Sequence, residues 1–199
     1  MVSCDIRKFR VNGKGINYLT AISYRFTSGN IYGLIGDTSV NVLARVLCGL
    51  IKESTGKRIV DHQENISFFL NDMQFLEDFN ILETIEDINS KKLDKTKLND
   101  LLLRLDLLGV CKFKLNKCPK EVIKKLGILC TLITNNKIIL IEDAFKDLTA
   151  SDIDRVKDLF FYLKNAGYLI VLTSRNKEEF NYFADKILKI EKGSLYEIF

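Results

Sequence analysis

Proline is almost missing from this chain: Pro119 is the only one in 199 residues. No Gly/Ser-rich stretch compensates, so no internal linker is predicted. Histidine is as scarce. His62 is the only one, in the polar stretch "DHQEN". With no further ligand at metal spacing it reads as a surface residue. No run reaches the roughly eighteen apolar residues that a membrane span needs. The beginning, "MVSCDIRKFR", lacks the apolar core of a secretory leader. A soluble cytoplasmic protein is expected, one that meets a membrane only through a partner. The five cysteines are odd in number and form no CxxC pair. Cys48 and Cys130 lie in apolar helical runs and read as small core residues in a reducing compartment. Charge of either sign is not in excess, with Lys+Arg 30 against Asp+Glu 26. No segment interleaves basic and aromatic residues, so a nucleic-acid partner is not expected. The pairs Lys91-Lys92 and Lys124-Lys125 read as solvated helix faces.

What is present is a strong apolar pattern, with 47% hydrophobic residues. "TAISYRFT" (20–27) alternates in part, with Ile22, Tyr24 and Phe26 on one face of a strand. "SGN" turns the chain into a second strand at 31–35, and a helix is predicted over about 40–51. "ISFFL" (66–70), "KIILIED" (137–143) and "YLIVLT" (168–173) are short apolar runs that read as buried strands. Helical spacing dominates 81–110. Residues 120–134 place Val122, Leu126, Leu129 and Ile133 on one helix face. "SDID" (151–154) resembles a capping box with Asp in place of the usual Glu or Gln. The helix it opens runs to about Asn165 and exits at Gly167. A closing hairpin turns at Lys192-Gly193. Continuous apolar strands alternating with amphipathic helices predict an α/β fold with a mostly parallel core sheet. An antiparallel flank is expected from residues 5–27, with a helical subdomain at about 82–134 inserted in a single domain, 1–199.

The stretch "GLIGDTSVNVLARVLCGL" (33–50) has the layout of a phosphate-binding loop: a strand, a glycine, a short polar stretch, then a helix. Around it the rest falls into order. "ISYRFTSGNIYGLIG", "LCGLIKESTGKRI", "ISFFLNDMQFLEDFNILETI", "NNKIILIEDAFKDLTASD" and "GYLIVLTSRNKEEFNYFADKILKIEKGSL" together resemble the ATP-binding cassette of ABC membrane transporters over nearly the whole chain. The resemblance implies the ABC-type P-loop NTPase fold.

In that family the loop pattern is G-x-x-x-x-G-K-[ST]. Its backbone N–H groups cradle phosphate, the lysine neutralises it and the hydroxyl holds Mg²⁺. Here Gly36 starts the loop. Without a gap, Asn41 falls at the second glycine, Val42 at the lysine and Leu43 at the hydroxyl. Keeping the helix register instead puts Ser39 at the glycine, Val40 at the lysine and Asn41-Val42 at the Ser/Thr pair. This second alignment is preferred, and neither supplies a lysine. The resemblance maps the Q-loop glutamine to Asn71 and the LSGGQ signature to Cys118-Pro119-Lys120-Glu121-Val122. It maps the Walker B pair to Glu142-Asp143, the D-loop aspartate to Thr149 and the H-loop histidine to Arg175. Glu142 could still reach a metal. Asp143 is a shortened base, and Arg175 cannot act as a neutral imidazole.

The expectation is therefore a degenerate, catalytically inactive cassette that scaffolds or regulates a transmembrane transporter subunit, with or without a second cassette subunit beside it. No cofactor is expected; ATP and Mg enter only if Gly36, Ser39, Asn41 and Asn71 retain some binding. Docking is expected at an apolar groove made by Phe68, Phe69, Met73, Phe75, Leu76 and Phe79, with Phe75 and Phe79 as anchors. The alternatives are a soluble regulatory or interaction protein on a cassette fold, and a weakly active ATPase. The transported substrate is not legible in this chain.

Overall fold

The computed structural model describes residues 1–13, 16–51, 55–61, 65–89 and 94–199. His62 and the Lys91-Lys92 pair lie outside the described residues. Strands β1 (Ser3–Gly13), β2 (Ile16–Thr27) and β4 (Thr55–Val60) form an antiparallel sheet in the order β2-β1-β4. The second sheet contains β3 (Asn30–Gly36), β5 (Ile66–Phe69), β6 (Ile138–Ile141), β7 (Leu169–Ser174), β8 (Lys186–Glu191) and β9 (Ser194–Glu197). Its order is β5-β6-β7-β3-β8-β9, parallel throughout except for the final hairpin partner β9. The three runs expected to share a core sheet are thus adjacent strands of one sheet.

Side-chain alternation along these strands divides the interior into two cores. Ile31, Ile35, Ile139, Ile141, Ile170 and Leu172 face one side. There they meet the helices α2 (Ile81–Ile88), α3 (Lys95–Arg104), α4 (Lys120–Leu132) and α5 (Ala150–Asn165). Tyr32, Leu34, Ile138, Leu140, Leu169 and Val171 face the other, covered by helix α1 (Thr38–Leu47) and the antiparallel sheet. Both faces of the parallel strands are buried, which is why their sequences read as continuous apolar runs. Helices α2 to α4 fall between β5 and β6 in the chain.

Three expectations need correction. Helix α1 begins and ends earlier than 40–51, because Asp37 caps its start and Gly49 turns the chain out at φ 76°. The cap of α5 is two residues before the start of "SDID": the Thr149 Oγ1 accepts the Asp152 N–H at 3.2 Å and donates to Asp152 Oδ2 at 2.8 Å. Lys124 and Lys125 are not solvated; they are 6% and 5% exposed. The Lys124 Nζ donates to the Glu142 carbonyl at 2.7 Å, and Lys125 pairs with Asp152. Helical spacing alone could not assign these lysines to an inner face, since their partners come from distant segments.

Candidate functional site

Gly36 ends β3 with φ 151°, and a Cβ there would lie 2.7 Å from the Ile190 carbonyl oxygen. Only glycine lets β3 pass β8 so closely while turning into α1. The turn is very short. Asp37 is already the helix N-cap, and its carboxylate accepts the Ser39 N–H at 2.9 Å. Ser39 is buried in the first helical turn. Val40 is 2% exposed and packs in the core beneath α1. Asn41 and Val42 are half-buried on the same helix.

The ends of β5 and β6 bring the next group together. Glu142 follows β6 and is 1% exposed. One oxygen, Oε2, accepts the Asn71 backbone N–H at 2.8 Å and lies 4.0 Å from Arg45 Nη2. The other, Oε1, is buried with no hydrogen-bond partner. The Asn71 side chain donates from Nδ2 to Asp143 Oδ2 at 2.6 Å. Asp143 sits at φ 45° and its N–H donates to the Thr173 Oγ1 at 2.9 Å. The structure therefore joins Asn71, Glu142 and Asp143. Arg175 is exposed just after β7 and takes no part in these bonds.

Arg45, Asp72, Asp37 and Lys124 belong to this region and were not expected as site residues; Lys124 was expected on a solvated face. Arg45 Nη2 is 3.0 Å from Asp72 Oδ1; that contact raises the guanidinium pKa and lowers the carboxyl pKa. Burial pushes the Lys124 ammonium down to about 8, against the opposing pull of Asp143, Asp147 and Glu142. Beside it, Phe69, Asn71, Met73, Lys120, Lys124 and Lys146 line a pocket of about 200 Å³. Of the four, Asp37 alone had a local signal, as an Asp placed directly before a helix. The others meet only through tertiary contacts.

The signature-aligned residues start α4, with Pro119 at the N-cap and Val122 buried. Thr149 is the cap of α5. The structure divides the residues expected to form an apolar groove, and the groove that remains is of mixed polarity, with Gln74, Glu77 and Asn116 also in its wall. Met73, Phe75, Leu76, Leu115, Cys118 and Ile123 line an open groove of about 660 Å³. Phe68 and Phe69 are not part of it, because strand alternation turns them into the two cores. The Phe69 ring is pressed so close to Gly127 of α4 that a Cβ there would lie 2.3 Å from it. Phe75 is half-buried and stacks on Phe69 with centroids 5.8 Å apart. Phe79 is half-buried too, its backbone bonded to Leu76 and Leu115. Among the described residues no group of three or more His, Cys, Asp or Glu could hold a metal ion. No helix there is long and apolar enough to cross a membrane.

A parallel sheet with an antiparallel subsheet on one side and helices on the other is the architecture of an ATP-binding cassette. A solved ATP-binding subunit of an ABC transporter superposes with a TM-score of 0.87 at 14% identity, covering 98% of this chain and 90% of its own. An uncharacterized ABC transporter ATP-binding protein of Methanocaldococcus jannaschii is 26% identical over 182 residues, covering 88% of this chain and 69% of that protein. A second, from Bacillus subtilis, is 25% identical over 196 residues, covering 92% and 89%. No family model matches the chain. The chain thus has the fold of ABC-transporter ATP-binding cassettes and is similar in sequence to ABC transporter ATP-binding proteins.

Proposed function

We propose that this chain is the cassette subunit of an ABC-type membrane transporter that does not turn over ATP, and that it scaffolds or regulates its transmembrane partner. The observation that carries the reading is at the start of α1. A phosphate-binding helix N-terminus keeps its first N–H groups open to an anion. Here the Asp37 carboxylate already takes one of them, at 2.9 Å from the Ser39 nitrogen. A phosphate arriving there would meet a like charge and no lysine, for Val40 is turned into the core. The residues present do not fit Mg-ATP. Glu142, the candidate metal ligand, lies against Arg45, and Asp143 is bound by the Asn71 amide.

In this reading one domain spans the chain, with a helical subdomain at about 82–134 inserted. The groove at Met73, Phe75 and Leu76 receives the transmembrane subunit and holds the cassette at the inner face of the membrane. A second cassette subunit completes the assembly. The test is a melting curve with millimolar Mg-ATP, joined to co-purification with a transmembrane subunit. Ligand at a hundred times its dissociation constant would add about 2.7 kcal/mol of stability. The expected result is no shift with the membrane subunit retained. A saturable shift at micromolar ATP overturns the reading in favour of a working or weakly active ATPase. Retention only in a soluble complex favours a regulatory protein without a transporter.

A further inference from the structure

Glu142 poses a charge problem that the fold has to solve. Its carboxylate is 1% exposed, and one of its oxygens has no hydrogen-bond partner. A buried carboxylate without a counter-charge costs several kcal/mol or takes up a proton. The Lys124 ammonium is committed to the Glu142 backbone carbonyl. The cation that faces the carboxylate is Arg45, whose Nη2 lies 4.0 Å from Oε2. The same nitrogen is 3.0 Å from Asp72 Oδ1, and the neighbouring Asn71 N–H donates to Glu142 Oε2 at 2.8 Å. The Arg45 side chain is 29% exposed, placing it at the rim of the site rather than deep within it.

We infer that Arg45 is a built-in cation that balances Glu142 where a nucleotide-bound metal would otherwise be needed, closing α1 onto the segment after β5 without a ligand. This rests on the reading of the site as one not built for Mg-ATP. One guanidinium bridges two carboxylates from two different segments. The Asn71 side chain adds a second tie, to Asp143 at 2.6 Å. The segment carrying Asn71 and Asp72 is thereby held to both α1 and the end of β6. A cassette built this way presents one fixed conformation of that segment.

The test uses the full chain without nucleotide. R45Q is expected to lower the melting temperature, and E142Q added to it is expected to raise it again, since the buried charge is then gone. Hydrogen exchange at the Asn71 amide should be slow in the parent and accelerate in R45Q. D72N, which leaves the buried carboxylate paired, should cost little by comparison, as exposed ion pairs do. Mn²⁺ alone, at millimolar concentration, should leave the parent's melting temperature unchanged. The inference is overturned if R45Q melts like the parent, or if E142Q fails to rescue R45Q. It is also overturned if Mn²⁺ stabilises the parent and E142Q abolishes that effect, which would make Glu142 a metal ligand with Arg45 in place. Because no arm contains ATP, a cassette that bound nucleotide through other atoms would fail the earlier test and leave these results standing.

Discussion

Lys125 of α4 and Asp152 in the first turn of α5 form an ion pair at 2.9 Å with side chains only 7% and 9% exposed. Thr149 completes the arrangement by donating to the second Asp152 oxygen at 2.8 Å. Burial pushes the Asp152 carboxyl up, but the hydrogen bonds from Lys125 and Thr149 outweigh it and hold the carboxyl below its usual range. The contact fixes the start of α5 against the helix that opens at the signature-aligned residues.

Replacing Lys125 with Met should destabilise the fold by about 3–5 kcal/mol at neutral pH, because Asp152 is left buried without its partner. Because the folded pKa of Asp152 is depressed, its contribution is present above the unfolded carboxyl pKa and is lost as pH falls through the folded one. The difference between parent and K125M in denaturant melts should therefore shrink on acidification. K125M/D152L should recover much of the loss.

Lys124 predicts a change of the same sign, but at alkaline pH. Its ammonium titrates near 8 in the fold against 10.5 when exposed. Between those values the unfolded chain binds more protons, so stability rises with pH. The facing charges are Asp143, Asp147, Glu142 and Lys146. Stability of the parent relative to K124M should be constant below pH 8 and climb from there to about 10.5. A flat difference across that range would mean that burial does not govern this ammonium.

The groove can be tested without disturbing the core. Leu76 is 59% exposed, whereas Phe75 is half-buried against Phe69. L76D should leave the melting temperature unchanged and weaken association with the proposed membrane subunit, by about 2 kcal/mol or more if Leu76 is an anchor. F75D should weaken association and also lower the melting temperature. Normal association of L76D, measured by pull-down with the membrane subunit, would remove this groove from the interface.

The sequence by itself determined the strands of the core sheet and the lack of a lysine after Gly36, while β4 (Thr55–Val60) went unread. These depend on local periodicity and on residue identity, which a linear reading captures. "YLIVLT" and "KIILIED" could be read as buried strands because their centres, 169–172 and 138–141, are apolar at every position. That same uniformity concealed which residues face α1 and which face α5, and so Phe68 and Phe69 could not be separated from the groove. The boundary of α1 was missed for want of the cap, although Asp37 stood in the sequence. Tertiary structure alone decided the charges. Lys124, Lys125 and Arg45 look like surface residues along the chain, yet their partners Glu142, Asp152 and Asp72 approach from other segments. Whether a charge is solvated or buried depends on what the fold packs over it, and no local pattern encodes that.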